Sequence, residues 1–136
     1  MKKTLFLLFA SIAIFTSSVN AQNIYSDASF LKATNHLFSA CFSIDAIIKA
    51  ENKATERTTL LPLIKANLNA STKYYDAIKS KFQNDKQLTQ WKLWNDVLQK
   101  GIEGLNSESW ENDSMWQMGY SLLKLDLLDM VNKKLK

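Results

Sequence analysis

The sequence predicts an all-α protein, specifically an antiparallel up-down-up-down four-helix bundle behind an N-terminal signal peptide, and three observations carry that prediction. Among 136 residues there are only three glycines and one proline, too little turn punctuation for a β-protein. Apolar residues recur at spacings of three and four along four successive stretches, the period of a helix with one buried face. The polar breaks between those stretches are short, which favours consecutive helices packed side by side in opposite directions.

Residues 1–21 stand apart. Lys2 and Lys3 precede an apolar run from Leu5 to Phe15 and a small-residue exit at Val19-Asn20-Ala21, the pattern of a cleavable secretory leader. The run is about half the roughly 20 apolar residues needed to span a bilayer. A lipid anchor would need a cysteine directly after the leader, and the only cysteine is Cys41. The expectation is therefore a signal peptide over 1–21, cleavage near Ala21, and a single helical domain over 22–136 that is exported, periplasmic or secreted, with no stable membrane anchor. Loss of the two leader lysines lowers the formal net charge from +4 to +2.

The first helix is expected to start at Ser26 or Asp27, whose side chains can cap free amides, and to run to about Glu51. Phe30, Leu37 and Ile44, interleaved with Thr34, Cys41 and Ile48, fall within a stripe roughly 80° wide at about 100° per residue. Cys41 lies near the middle of that stripe and is expected to be a small buried apolar residue rather than a reactive or bridging thiol. The second helix is expected to begin at Thr58 or Thr59, because Pro62 fits a first turn, where its missing amide has no intrahelical partner to lose. It repeats on a seven-residue beat, with Leu61, Leu68, Tyr75 and Phe82 in one row and Ile64, Ser71 and Ile78 in the other, the signature of nearly parallel helix axes. Gln83-Asn84-Asp85 reads as a turn. Leu88, Trp91, Trp94, Leu98, Ile102 and Leu105 make the apolar face of a third helix, which Gly101 and Gly104 weaken and are expected to end. After a polar loop from Asn106 to Asp113, a last helix runs from about Ser114, with lysines suited to its negative C-terminal end.

That last helix differs from the others. Its core row is Trp116, Tyr120, Leu123, Leu127 and either Met130 or Val131, yet Met118, Leu122 and Leu125 sit roughly 120–180° away around the axis. A helix apolar on two sides is either buried more deeply than its neighbours or lends its second face to a partner.

Most site chemistry fails on residue inventory. His36 is the sole histidine, which removes di-iron bundles and zinc sites built on several imidazoles. Five positions separate His36 from Cys41, so on one helix they point about 140° apart and form no nucleophile–base pair. With Lys32, Ser39 and Ser43, His36 is placed on the polar side as a solvated histidine. Covalent haem needs a Cys-x-x-Cys-His motif that is missing, and a noncovalent pair could recruit only Met130 at the level of His36. Asp126, Asp129, Glu103, Glu108 and Glu111 lack loop-type cation-ligand spacing. Trp91 and Trp94 suit a core stripe as well as a sugar platform, and Trp110 is the better surface candidate. One arginine, Arg57, and a modest charge disfavour nucleic acid. No cofactor and no metal are expected.

The resulting expectation is a non-enzymatic exported protein of inhibitor, immunity or adaptor type. It binds another protein, or a second copy of itself, through Met115, Met118, Leu122 and Leu125, with methionine offering adaptable apolar contact. The alternative is a periplasmic bundle that carries haem or a small apolar ligand in its core.

Overall fold

A computed structural model describes residues 23–105 and 112–134, and the leader, Glu108, Trp110 and Glu111 lie outside the described residues. Asn23 caps a single 3-10 turn, Ile24–Ser26, through its side-chain oxygen. Four α-helices follow among the described residues: α1 (Ala28–Lys49), α2 (Lys53–Ile78), α3 (Lys86–Leu105) and α4 (Ser114–Lys134). No strand is present among those residues. The protein is all-α.

Helix α1 starts where a short acidic side chain can serve two free amides. Asp27 Oδ1 accepts from Ser29 N at 2.9 Å and from Phe30 N at 3.1 Å. Lys81 reaches the other carboxylate oxygen at 2.8 Å from the turn after α2. One face of α1 is then buried along its length, through Phe30, Ala33, Thr34, Leu37, Ala40, Cys41, Ile44 and Ile47. Ala50 leaves the helix in an extended conformation, and Asn52 already caps α2 by accepting from Thr55 N. So short a connection forces α2 back along α1. The polar contacts give the direction: Ser71 Oγ donates to the Ala33 carbonyl at 2.8 Å, and His36 Nδ1 lies 2.9 Å from Asn67 Oδ1, so the chain positions run oppositely.

The expected start of α2 is corrected by this cap. The helix begins at Lys53, and Pro62 sits in its third turn instead of its first. A proline there removes the donor that would reach the Thr58 carbonyl and costs about 3 kcal/mol in a helix interior. Pro62 and Thr58 both face solvent, so water can reach the freed carbonyl. On both sides of Pro62 the seven-residue rows hold as expected: Ile64, Leu68, Ser71 and Ile78 are buried, and Leu61 and Tyr75 pack half-buried against the same core. Phe82 closes that core from the turn after α2.

Asn84 makes the turn with φ of 68°, a left-handed value that asparagine tolerates better than most side chains. Asp85 Oδ1 then accepts from Gln87 N and Leu88 N and starts α3. Leu88, Trp91, Trp94 and Leu98 are buried as the apolar stripe requires. Tyr75 stacks on Trp91 at 4.8 Å, and Asn95 Nδ2 donates to Thr72 Oγ1 at 2.7 Å, so α3 runs opposite to α2. Helix α3 is not interrupted at Gly101, and Leu105, directly after Gly104, is its last described residue. Gly101 serves another purpose, because a Cβ there would lie 3.0 Å from Trp116 Nε1; its bare backbone lets α4 approach.

Candidate functional site

Asp113 starts α4 in the same manner as the other caps, with Oδ1 accepting from Met115 N at 2.9 Å and Trp116 N at 3.0 Å. From that fixed start, a 100° step per residue assigns each side chain to one of two opposed faces. The inner face carries Tyr120, Leu123, Leu127 and Met130, all buried, with Trp116 half-buried beside them. Met130 rather than Val131 completes the row.

Polar contacts fix this face onto α1. The Tyr120 hydroxyl donates to the Cys41 carbonyl at 2.7 Å. Trp116 stacks on the Tyr120 ring with centroids 5.3 Å apart and planes at 4°. Lys124 Nζ meets Asp45 Oδ2 at 2.7 Å and lies 5.6 Å from the Tyr120 ring centre. Burial raises the Tyr120 phenol, so it is neutral and donates at any physiological pH. Ahead of α4, Lys53 Nζ donates to Asn112 Oδ1 at 3.0 Å and ties the residue before the Asp113 cap to the start of α2.

The outer face carries an apolar strip that is not covered, with exposed Asp126 at its edge and exposed Asp129 at its C-terminal end. Met115 is 78% exposed, Met118 63%, Leu122 60% and Leu125 60%, values that leave most of each side chain in water. Their spacing of three, four and three is that of the a and d positions along a helix–helix seam. Gly119 has no atom within 4 Å of an added Cβ, so the backbone beside Met118 and Leu122 is open too. The structure thus brings the four sequence-selected residues onto one strip. Single exposed apolar side chains are ordinary on a protein surface; four in register on one helix face are not.

Sequence reasoning missed what lies beside the strip. Phe42 is 70% exposed and Leu128 42%, and these two, with Phe38, Cys41, Asp45 and Lys124, line a pocket of about 150 Å³ between α1 and α4. A visible signal was the Phe38–Phe42 pair, one turn apart and flanking the core stripe, whose rings lie 6.5 Å apart. Cys41 forms part of the pocket lining. Desolvation raises its thiol to about 11, against a smaller lowering by Tyr120, which leaves it protonated and poorly nucleophilic at neutral pH.

His36 is a correction. It is half-buried at the α1–α2 seam instead of solvated, with Nδ1 at Asn67 Oδ1 and its ring stacked on Tyr74 at 5.8 Å and 10°. Met130 is in the core, whereas the imidazole is engaged by α2. Among the described residues no three His, Cys, Asp or Glu side chains converge as a metal site. No helix among them is long and apolar enough to cross a membrane. Trp91 and Trp94 are core residues.

No protein-family model, curated protein or solved structure matches this chain.

Proposed function

We propose that this chain is an exported, non-enzymatic up-down-up-down helical bundle that docks another protein on the outer face of α4, in the manner of an inhibitor, immunity protein or adaptor. The observation that carries the reading is the uncovered strip of Met115, Met118, Leu122 and Leu125, on a helix whose opposite face already supplies the core. Covering such a strip gains roughly 25 cal/mol per Å² of apolar surface removed from water. Methionine at two of the four positions allows the strip to adapt to its partner. The spacing favours a partner that lays a helix along the strip at a small crossing angle.

Replacing both Leu122 and Leu125 with lysine tests the reading. The expected result is an unchanged circular-dichroism spectrum and melting temperature together with loss of the crosslinked partner that the unaltered chain yields in its native compartment. Unfolding of the double variant would mean that the strip is core, and retention of the partner would mean that docking occurs elsewhere.

A further inference from the structure

We propose that the pocket between α1 and α4 is a binding site for an uncharged, benzene-sized apolar ring. The inference is independent of protein docking on the outer strip. Phe38, Cys41, Phe42 and Asp45 follow one another along adjacent turns of α1, and Lys124 and Leu128 face them from adjacent turns of α4. The buried stripe of α1 alternates the larger Phe30, Leu37 and Ile44 with small residues, and the small residue that faces α4 at this level is Cys41. Opposite it, α4 supplies Lys124, whose ammonium is drawn aside to Asp45 and the Tyr120 ring. A small residue facing a side chain that turns away leaves a space of about 150 Å³, the volume at which an apolar protein cavity accepts benzene.

The same contacts decide the chemistry of the occupant. Lys124 and Asp45 neutralise each other at 2.7 Å, so neither charge is left to select an ion. The Tyr120 hydroxyl is committed to the Cys41 carbonyl. The Cys41 thiol is a weak donor at best. A polar or charged ligand would surrender its hydration without replacement hydrogen bonds, whereas an apolar ring displaces water that the aromatic and aliphatic walls hold poorly. Exposed Phe42 and Leu128 stand at the mouth, so a ring can enter without unfolding of α1 or α4.

The ring could arrive as a free small molecule or on a phenylalanine side chain, and the experiment separates the two. Benzene, N-acetyl-phenylalaninamide and benzoate are each titrated into the ¹⁵N-labelled full chain while amide shifts are followed. Benzene is expected to bind with a dissociation constant of about 1 mM or tighter, modest for a six-atom ligand. Its ring-current shifts should centre on Phe38, Cys41, Phe42 and Leu128. Benzoate should bind at least tenfold more weakly. Binding of the amide as well as benzene assigns the site to side-chain-borne rings also; binding of benzene alone assigns it to free ligands. Filling the pocket with Cys41→Met, or plugging its mouth with the surface change Leu128→Trp should Cys41→Met fail to fold, is expected to weaken benzene at least tenfold. The proposal is overturned if benzene produces no shifts up to saturation, if its shifts centre elsewhere, if a folded filled variant binds as before, or if benzoate binds equally well.

Discussion

Leu127 and Leu125 are two positions apart on α4, yet truncating them should have very different consequences. Leu127 is 0% exposed in the shared core, whereas Leu125 is 60% exposed on the outer strip. Leu127→Ala removes buried carbons worth about 2 kcal/mol in transfer free energy, and incomplete collapse of the resulting cavity brings the total to about 3 kcal/mol. Leu125→Ala leaves no cavity and loses less than half of the same burial, so its cost should stay below about 1 kcal/mol, partly offset by the better helix propensity of alanine. At roughly 4 °C per kcal/mol for a domain of this size, the melting temperature should fall by about 12 °C for Leu127→Ala and by under about 4 °C for Leu125→Ala. Urea unfolding followed by circular dichroism at 222 nm, with thermal melts as a second measure, reads both differences. Equal destabilisation by the two changes, within about 0.5 kcal/mol, would refute the assignment of one core face and one free face to α4.

The glycines should separate in the same way: Gly119→Ala is expected to stabilise by about 0.5–1 kcal/mol in a urea titration, since nothing lies near the added carbon. Gly101→Ala should forfeit that gain, because the new Cβ would meet Trp116 Nε1 at 3.0 Å. Lys81, together with the backbone amides of Phe30 and Ser29, holds the Asp27 carboxyl below its usual range. A depressed folded-state value means that this contribution is complete above the unfolded value near 4 and is lost as the pH falls through the lowered folded one. Stability measured from pH 6 to pH 2 should therefore decline more steeply for the unaltered chain than for Asp27→Asn. Cys41, buried with its thiol raised to about 11, should resist iodoacetamide at pH 8 at least a hundredfold better in the folded chain than in urea; equal rates would place the thiol in solvent.

Where local chemistry decides a feature, the sequence was readable. A cap at Ser26 or Asp27 ahead of an apolar repeat was recognisable, as were Gln83-Asn84-Asp85 as a turn and the seven-residue rows of α2 as two lines of core residues, because each depends on side chains a few positions apart. The two-faced character of α4 was legible for the same reason: rotation around one helix axis follows from sequence position alone. The errors occurred where a neighbouring helix overrides the local preference. Pro62 argued for a late start to α2, but the Asn52 cap and the turn from α1 set the start at Lys53, and an exposed proline was tolerated within the helix. Gly101 was read as weakening α3, yet the helix runs through it and the glycine answers to Trp116 across the interface. His36 was read as solvated from its own helix alone, while Asn67 and Tyr74 approach it from α2. The pocket escaped notice because a cavity is defined by what two helices together fail to fill. Small Cys41 becomes informative only once Lys124 is seen to turn toward Asp45.

The central claim, that the outer face of α4 is a contact surface for another protein, is tested most directly by site-specific photocrosslinking in the native compartment. Benzoylphenylalanine placed at Met118 and, separately, at Leu125 should capture the same partner, giving adducts of one mass, and Leu122→Lys should abolish both. The control position is Leu63 on α2, which is 51% exposed but lies on another helix. It should yield no such adduct. Failure of both α4 positions to crosslink, or the same adducts arising from Leu63, would contradict the account.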